Sequence, residues 1–170
     1  MTARVTYQRD GNIAILSMNQ PPVNALGQPM REALQQAFRK ALADDQVAVM
    51  VIASEARIFC GGADISEFGT DQAFASPGLP SLLNELEAST KPVVAAIQGM
   101  ALGGGLELAM ACDYRIADTS ARLGLPEVNL GLIPGAGGTQ RLPRLAGVNL
   151  ALDMITSGQP IDAQRAESEG

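Results

Sequence analysis

The sequence predicts an α/β domain with a largely parallel sheet. Two continuous apolar runs rich in β-branched residues, 47–53 and 92–97, are typical of strands buried on both faces. Segments with apolar side chains at helical spacing alternate with such runs, which indicates strand–helix–strand units. The chain has 170 residues, of which 46% are hydrophobic and 18% charged, so we expect one folded domain with a substantial core.

The N-terminal half begins with a hairpin pattern. Residues 2–8 and 13–18 are β-type runs on either side of Asp10-Gly11, a dipeptide that favours a tight turn. Residues 29–43 place apolar side chains at helical spacing, with Pro29 near the start. The elements expected next are the strand 47–53, a glycine loop, a short helix at 65–68, a mobile polar segment at 71–80 and a helix at 82–88.

The second half continues the alternation of strands and helices. The strand 92–97 leads through Gly103-Gly104-Gly105 into a helix at 106–111. The elements expected after it are a strand at 114–117, a glycine cluster at 131–138, and helices at 139–145 and 149–156. The chain stops at Glu169-Gly170 inside a helical pattern. We therefore expect residues 1–170 to form a domain truncated at its C-terminus, either poorly stable alone or dependent on self-association.

Charge and composition exclude several classes of function. A net charge of −6 argues against nucleic acid as a partner, because binding to phosphates needs a basic face. The sequence contains no histidine, which removes Ser-His-Asp and Cys-His nucleophile schemes and most zinc sites. Proton transfer must then rely on Asp, Glu, Lys, Tyr or Cys.

The remaining patterns favour a cytoplasmic protein. Cys60 and Cys112 show no CxxC spacing, and we expect two reduced, partly buried thiols. The first eight residues lack a secretion signal, and the longest apolar stretch, 92–112, contains Gln98, Glu107 and several glycines. That stretch is typical of a buried strand, turn and helix, so no membrane insertion is expected.

Two glycine-containing loops follow the buried strands, at 60–65 and 101–113. Ligands of open α/β sheets bind beyond the carboxyl ends of strands, so both loops lie where a site is expected. Backbone amides from the two loops could converge on one carbonyl oxygen and form an oxyanion hole. The simpler alternative is that these glycines only make tight turns. Three glycines in a row at a helix entrance instead suggest a very close backbone approach.

Two isolated carboxylates are the candidate acid/base pair. Glu107 lies on the first turn of an otherwise apolar helix, and Glu127 is the only charge in the apolar stretch 125–128. With no histidine available, two such carboxylates can perform general acid/base chemistry. Glu107 could alternatively be a capping carboxylate of its helix. For Asp113, near the end of the same helix, we expect a structural role.

The chain resembles the enoyl-CoA hydratase/isomerase (crotonase) family from its hairpin to its last residue. The segments that carry the resemblance are PVNAL (22–26), FCGGADI (59–65), KPVVAAIQGMALGGGLELAMACD (91–113) and LPEVNLGLIPGAGGTQRLPRLAG (125–147). The resemblance implies a crotonase-like spiral of β-β-α units and an acyl-CoA thioester as substrate. Family members stabilise an enolate of the thioester carbonyl. The opening segment and LPRLAG are most similar to the N-terminal region of multifunctional fatty acid β-oxidation enzymes.

The resemblance also implies roles for individual residues. The amides of Ala63 and Gly104 would form the oxyanion hole, while Glu107 would orient and deprotonate water and Glu127 would supply a proton. The residues implied in substrate binding are Ala25, Ala63, Asp64, Ile65, Ser66 and Gly104. No metal or separate cofactor is expected, since coenzyme A is part of the substrate, and a homo-oligomer is expected.

Three activities remain open at this stage. The first is hydration of 2-enoyl-CoA, with movement of a 3-enoyl double bond as a possible second activity, because isomerases of the family commonly work with the equivalent of Glu127 alone. The second is another crotonase-type reaction on acyl-CoA, which would use different acid/base residues. The third is a non-catalytic acyl-CoA binding subunit, against which the retained Glu107 and Glu127 argue.

Overall fold

A computed structural model describes residues 4–170 of the chain. Within them, the strands are β1 (Val5–Asp10), β2 (Ile13–Met18), β3 (Val49–Ser54), β4 (Val93–Ile97), β5 (Met100–Leu102), β6 (Tyr114–Ala117), β7 (Arg122–Gly124) and β8 (Ile161–Asp162). The α-helices are α1 (Gln28–Ala43), α2 (Leu79–Glu87), α3 (Gly104–Met110), α4 (Gly138–Ser157) and α5 (Ala163–Glu169). Short 3-10 helices cover Ile65–Glu67, Asp71–Phe74 and Pro126–Leu130.

The strands form two sheets. The larger has the order β1-β2-β3-β4-β6, in which only the β1–β2 pair is antiparallel. The smaller has the order β5-β7-β8, with β5 and β7 parallel. Cys60 extends the smaller sheet, because it forms an isolated parallel bridge to Ala101 of β5. The predicted α/β class with a largely parallel sheet is therefore confirmed.

A β-β-α unit recurs along the chain. In each unit the first strand joins the larger sheet and the second joins the smaller sheet. A helix then completes the unit. The units are β3–Cys60–α2, β4–β5–α3 and β6–β7–α4. This repetition is the spiral of β-β-α units that the sequence resemblance implied.

The core lies between the larger sheet and the helices. Alternate residues of β2, β3 and β4 are buried, as are the apolar faces of α1 and α2. The helix α3 is buried at every residue, Glu107 included. Burial of a whole helix explains why its sequence is apolar on all sides and why a carboxylate there is exceptional.

Most elements agree with the sequence-based expectations. The hairpin turns at Gly11, and the part of the first strand predicted at residues 2 and 3 lies outside the described residues. The helices predicted at 139–145 and 149–156 form one run, α4, which is interrupted at Gly147, where φ is 82° and ψ is 158°. Its left-handed backbone conformation separates the two segments.

Residues 71–80 are more regular than the sequence pattern indicates. The segment contains the 3-10 helix Asp71–Phe74 and the start of α2, and its expected mobility stays a prediction. The strands β5, β7 and β8 were also missed, since two or three residues carry too little period-2 pattern to be recognised.

Candidate active site

The candidate site lies at the end of the smaller sheet. Cys60, β5 and β7 run parallel and side by side, so the residues that follow them emerge at one edge. Those residues are the Gly61–Ala63 loop, the glycine triplet 103–105 and the turn that carries Glu127. The site was predicted beyond the strands 47–53 and 92–97, but the short strands of the second sheet deliver these loops.

The oxyanion candidates, Ala63 and Gly104, are neighbours. A Cβ built on Gly104 would lie 3.3 Å from the nitrogen of Ala63, and one on Gly62 would lie 3.3 Å from the nitrogen of Gly104. Neither amide donates a hydrogen bond to any residue in the range 4–170. Two adjacent amides without acceptors are suited to bind one oxyanion.

Each glycine of the triplet makes a different close approach. Gly103 has φ of 52°, and a Cβ there would lie 3.0 Å from Oε1 of Glu127. A Cβ on Gly104 would lie 2.9 Å from the Leu79 side chain, and one on Gly105 would overlap the carbonyl of Cys60. The triplet therefore leaves space for the Glu127 carboxylate, a side chain of α2 and the backbone of Cys60, which is more than a tight turn requires.

Glu107 is held from one side only. Its Oε1 accepts hydrogen bonds from the amides of Ala136 and Gly138, both at 2.8 Å. Its Oε2 has no donor among the described residues and retains some solvent access. Burial raises the pKa of Glu107, while the two amides and the charge of Arg141 lower it. The free oxygen is the one that can meet a water molecule.

Glu127 is half-buried in a less polar environment. Its Oε2 is sealed from solvent and has no hydrogen-bond partner in the described part of the chain. Burial raises the pKa of Glu127; its own backbone amide lowers it, and the negative charge of Glu107 raises it further. The pKa of Glu127 therefore lies above the ordinary value of a glutamate, and its sealed oxygen has no donor among residues 4–170.

The residues implied in substrate binding lie beside the oxyanion candidates. The amide of Leu26 donates to the carbonyl of Gly62 at 2.8 Å, which places Ala25 next to the Gly61–Ala63 loop. Ile65 is 60% exposed and Ser66 is also exposed. Asp64 has a structural task as well, because its Oδ1 accepts from the amide and hydroxyl of Ser66 and caps the turn Ile65–Glu67.

Asp113 and the two cysteines have structural environments. The carboxylate of Asp113 accepts from the amide of Val93 at 2.8 Å, which joins the end of α3 to the start of β4. Cys60 and Cys112 are free, and burial raises the pKa of each thiol to about 12. Over residues 4–170 there is no group of three side chains able to hold a metal ion.

Two buried arginines were not identified from the sequence. Arg31 and Arg141 are 4% and 9% exposed, and both lie on helices that looked ordinarily amphipathic. Arg141 contacts the loop whose amides bind Glu107. Arg31 contacts Glu67, in the segment that follows the Gly61–Ala63 loop. The sequence signal was weak: each arginine occupies a position on the apolar stripe of its helix.

A membrane-spanning role finds no support among residues 4–170. None of the helices there combines the length and apolar character needed to cross a bilayer.

Comparison with known proteins identifies the family and similar folds. The model for enoyl-CoA hydratase/isomerase matches residues 8–170. A peroxisomal bifunctional enzyme from Danio rerio is 53% identical over 155 residues, or 91% of this chain and 21% of that protein. A probable enoyl-CoA hydratase from Bacillus subtilis (strain 168) is 46% identical over 92% of this chain and 63% of its own length.

Solved structures show the same fold. The crystal structure of an enoyl-CoA hydratase from Bacillus anthracis matches with a TM-score of 0.92 at 37% identity, covering 98% of this chain and 67% of that chain. The chain thus spans about a fifth of the length of the bifunctional relative and about two thirds of the solved structure.

Proposed function

The chain belongs to the enoyl-CoA hydratase/isomerase family, and we propose that it hydrates 2-enoyl-CoA thioesters to 3-hydroxyacyl-CoA in fatty acid β-oxidation. Relatives named as a probable enoyl-CoA hydratase and as a fatty acid beta-oxidation multifunctional protein from Cucumis sativus support this assignment. The structural observation that carries it is the placement of two differently stabilised carboxylates beside two unpaired amides.

The amides of Ala63 and Gly104 bind the thioester carbonyl oxygen. Both are without acceptors in the described chain, so a carbonyl oxygen displaces no internal hydrogen bond. As the reaction proceeds, negative charge accumulates on this oxygen and the enolate form develops. Amides aimed at the developing charge stabilise it more than the ground state, and loss of one such donor typically costs about 2.7–4 kcal/mol.

The two glutamates divide the proton transfers. Glu107 accepts a proton from water through its free Oε2 while Oε1 stays bound to the loop amides, and the water oxygen forms its bond to C3. Glu127, biased towards the protonated form, delivers a proton to C2. The sum is one water added across the double bond. Loss of the proton from Glu107 and return of a proton to Glu127, by exchange with solvent, restore the starting state, and the two carboxyl groups titrate as a pair.

A second activity, conversion of 3-enoyl-CoA to 2-enoyl-CoA, is favoured by one observation. Glu127 has a buried oxygen without a protein partner, so it can take a proton from one carbon and return it to another. This isomerisation needs the same oxyanion amides and a single acid/base group. Retention of Glu107 makes hydration the first proposal.

The direct test is loss of the conjugated enoyl-thioester absorbance when the protein is mixed with crotonyl-CoA. We expect Glu107→Gln and Glu127→Gln each to lower kcat by about 10²–10⁴-fold. Glu167→Gln, an exposed glutamate on α5, is the matched control and should retain full activity. No absorbance loss with the unsubstituted protein would exclude hydration, and a 3-enoyl-CoA would then be the next substrate.

The same variants separate a catalyst from a binding subunit. A non-catalytic acyl-CoA binding subunit would keep its affinity for the thioester and show no turnover that either substitution could remove. Isothermal titration with a saturated acyl-CoA measures that affinity without any reaction.

We further propose that the protein forms homo-oligomers and needs no metal or separate cofactor. Activity that survives dialysis against a chelator would support the latter. The expected cytoplasmic location stays a prediction, because relatives carry names that place them in peroxisomes or glyoxysomes. Imaging of the tagged protein in its own cells would test it.

A further inference from the structure

We propose that Arg141 is a positioning residue for Glu107, acting through the loop 136–138, and that Glu87 and Asn84 of α2 hold Arg141 in place. The inference deepens the proposed hydration and rests on it for its kinetic consequence. Its structural consequence is a change in the pKa of Glu107, which can be measured without any reaction.

The geometry links the guanidinium to Glu107 through one residue. Nη1 of Arg141 donates to the carbonyl of Ala136 at 2.8 Å, and the amide of Ala136 donates to Oε1 of Glu107 at 2.8 Å. The second amide on Glu107 belongs to Gly138, at the first position of α4. Arg141 lies on the same first turn of α4, where its own amide donates to the carbonyl of Gly137 at 2.8 Å.

The loop is shaped to receive the arginine. Gly137 has φ of 103°, and a Cβ at that position would overlap Nη1 of Arg141. A Cβ on Gly138 would lie 3.0 Å from Oε1 of Glu107. Side chains at these two positions would therefore displace the guanidinium or the carboxylate, so the glycines are required by the arrangement around Arg141.

The other side of Arg141 is anchored on α2. Its Nη2 donates to Oε2 of Glu87 at 2.8 Å and to Oδ1 of Asn84 at 3.1 Å, while Nε donates to Oε1 of Glu87 at 3.3 Å. The fork geometry of a guanidinium allows it to bridge a carboxylate and a carbonyl at once, which a lysine ammonium cannot reproduce. Arg141 thereby fixes the distance between α2 and the Glu107 loop.

The surroundings of Glu107 shift its pKa in opposite directions. Burial raises its pKa, and the amides of Gly138 and Ala136 together with the charge of Arg141 lower it. Glu127 lies on the turn Pro126–Leu130, where burial and the negative charge of Glu107 raise its pKa. On the neighbouring elements, Cys60 is a neutral thiol, and Arg141 and Arg144 lower the pKa of Glu87.

The experiment compares Arg141→Gln, Arg141→Lys and the control Arg144→Gln. Arg144 is exposed on the same helix and carries the same charge, and within residues 4–170 its side chain hydrogen-bonds to Gln140 alone. The pKa of Glu107 is read by ¹³C NMR of its carboxyl carbon, assigned by its loss in Glu107→Gln. The acid limb of kcat/KM for crotonyl-CoA is measured in parallel.

We expect Arg141→Gln to move the Glu107 titration and the acid limb to higher pH. Because the loop amides are displaced, kcat should fall on the order of 10- to 100-fold with little change in KM. Arg141→Lys should also have a lower kcat, but its Glu107 titration should lie closer to that of the unsubstituted protein, because the positive charge remains. Arg144→Gln should change neither quantity.

An unshifted Glu107 titration in folded Arg141→Gln would overturn the inference, because loss of the positive charge and displacement of the loop amides should both raise that pKa. An Arg141→Lys variant that keeps full kcat would show that the charge acts without positioning the loop. If Arg141→Gln does not fold, Arg141→Lys decides alone: a kcat equal to that of the unsubstituted protein would also overturn it. A shifted titration in a protein that never hydrates crotonyl-CoA would leave Arg141's role standing and remove the proposed function instead.

Discussion

Glu107 and Glu127 carry the same carboxyl group but meet different neighbours. Burial raises the pKa of Glu107, and two backbone amides together with the charge of Arg141 oppose that shift by stabilising its anion. Glu127 has a buried oxygen without a partner and the negative charge of Glu107 beside it. These different environments support the proposed division of roles, in which Glu107 is the base and Glu127 the acid.

The raised pKa of Glu127 has a consequence for stability. The folded state binds the proton of Glu127 more tightly than the unfolded chain does, so ionisation of Glu127 destabilises the fold. This destabilisation is absent below the pKa that Glu127 has in the unfolded chain. It grows as the pH rises towards the folded pKa and is complete above that value. We expect Glu127→Gln to melt at a higher temperature than the unsubstituted protein at neutral pH, with the difference disappearing in acid.

Calorimetry across the pH range checks this prediction. The surface variant Glu167→Gln should melt like the unsubstituted protein throughout. A Glu127→Gln variant that is less stable at neutral pH would show that the carboxylate is stabilised in the folded protein and would contradict the expected direction of the pKa shift.

Helix α3 packs closely against the backbone of Cys60 because Gly105 has no side chain. A Cβ at Gly105 would overlap the carbonyl of Cys60 and lie 2.8 Å from its Cβ. We expect Gly105→Ala to destabilise the protein by about 1–3 kcal/mol, the usual range for overpacking. Urea unfolding measures the change.

Gly135→Ala is the matched control for that substitution. A Cβ there would meet only the Ile133 carbonyl, at 3.9 Å, and the backbone of Gly135 is not left-handed. Equal stability losses in the two alanine variants would mean that the close approach at Gly105 does not matter.

The segment after the Gly61–Ala63 loop is bound to α1 through Arg31 and Gln28. Arg31 forms a buried ion pair of 3.0 Å with Glu67, whose other oxygen accepts from the amide of Gln28 at 2.6 Å. Arg31 also donates to the carbonyl oxygens of Leu26, Gln72, Ala75 and Pro77. The polar stretch that looked mobile in sequence is thus bound through its backbone, which a residue pattern does not reveal.

Removal of this arginine should be costly. We expect Arg31→Met to destabilise the protein by about 3–5 kcal/mol, because it leaves Glu67 buried without its counter-charge. Arg39→Met provides the comparison, since Arg39 is 60% exposed in its pair with Glu85 and should contribute little. Similar losses for both variants in urea unfolding would contradict the special role of Arg31.

The molecule as a whole exposes large apolar side chains beside the edge of its larger sheet. Strand β6 lies at the edge of the larger sheet, with Tyr114 and Ile116 about two thirds exposed at 67% and 66%. An apolar cleft of about 910 Å³ runs between this edge, α3, α4 and α5. Unpaired strand edges and large apolar patches are where chains associate.

We therefore expect self-association that stabilises the fold. The melting temperature should rise with protein concentration, because association couples to folding by mass action. Light scattering at the same concentrations should show a mass above 17.7 kDa. A monomer with a cooperative melt at high temperature would contradict both the oligomer and the low intrinsic stability expected from the sequence.

The sequence by itself determined the α/β class and the order of the main helices and strands, and it identified the glutamates and glycine loops of the candidate site. These features carry local signals: β-branched runs, helical spacing, and a charge alone in an apolar stretch, as at Glu107. The family resemblance added the spiral of β-β-α units and the pairing of Ala63 with Gly104.

Only the tertiary structure decided how those residues meet. The strands β5 and β7 are too short to show a strand pattern in the sequence. Their parallel pairing nevertheless brings the Gly61–Ala63 loop, the glycine triplet and Glu127 to one edge of the smaller sheet. The two buried arginines act on carbonyl oxygens, which every residue possesses and no sequence distinguishes. Contacts through the backbone depend on three-dimensional proximity, and the roles of Arg31 and Arg141 follow from that proximity.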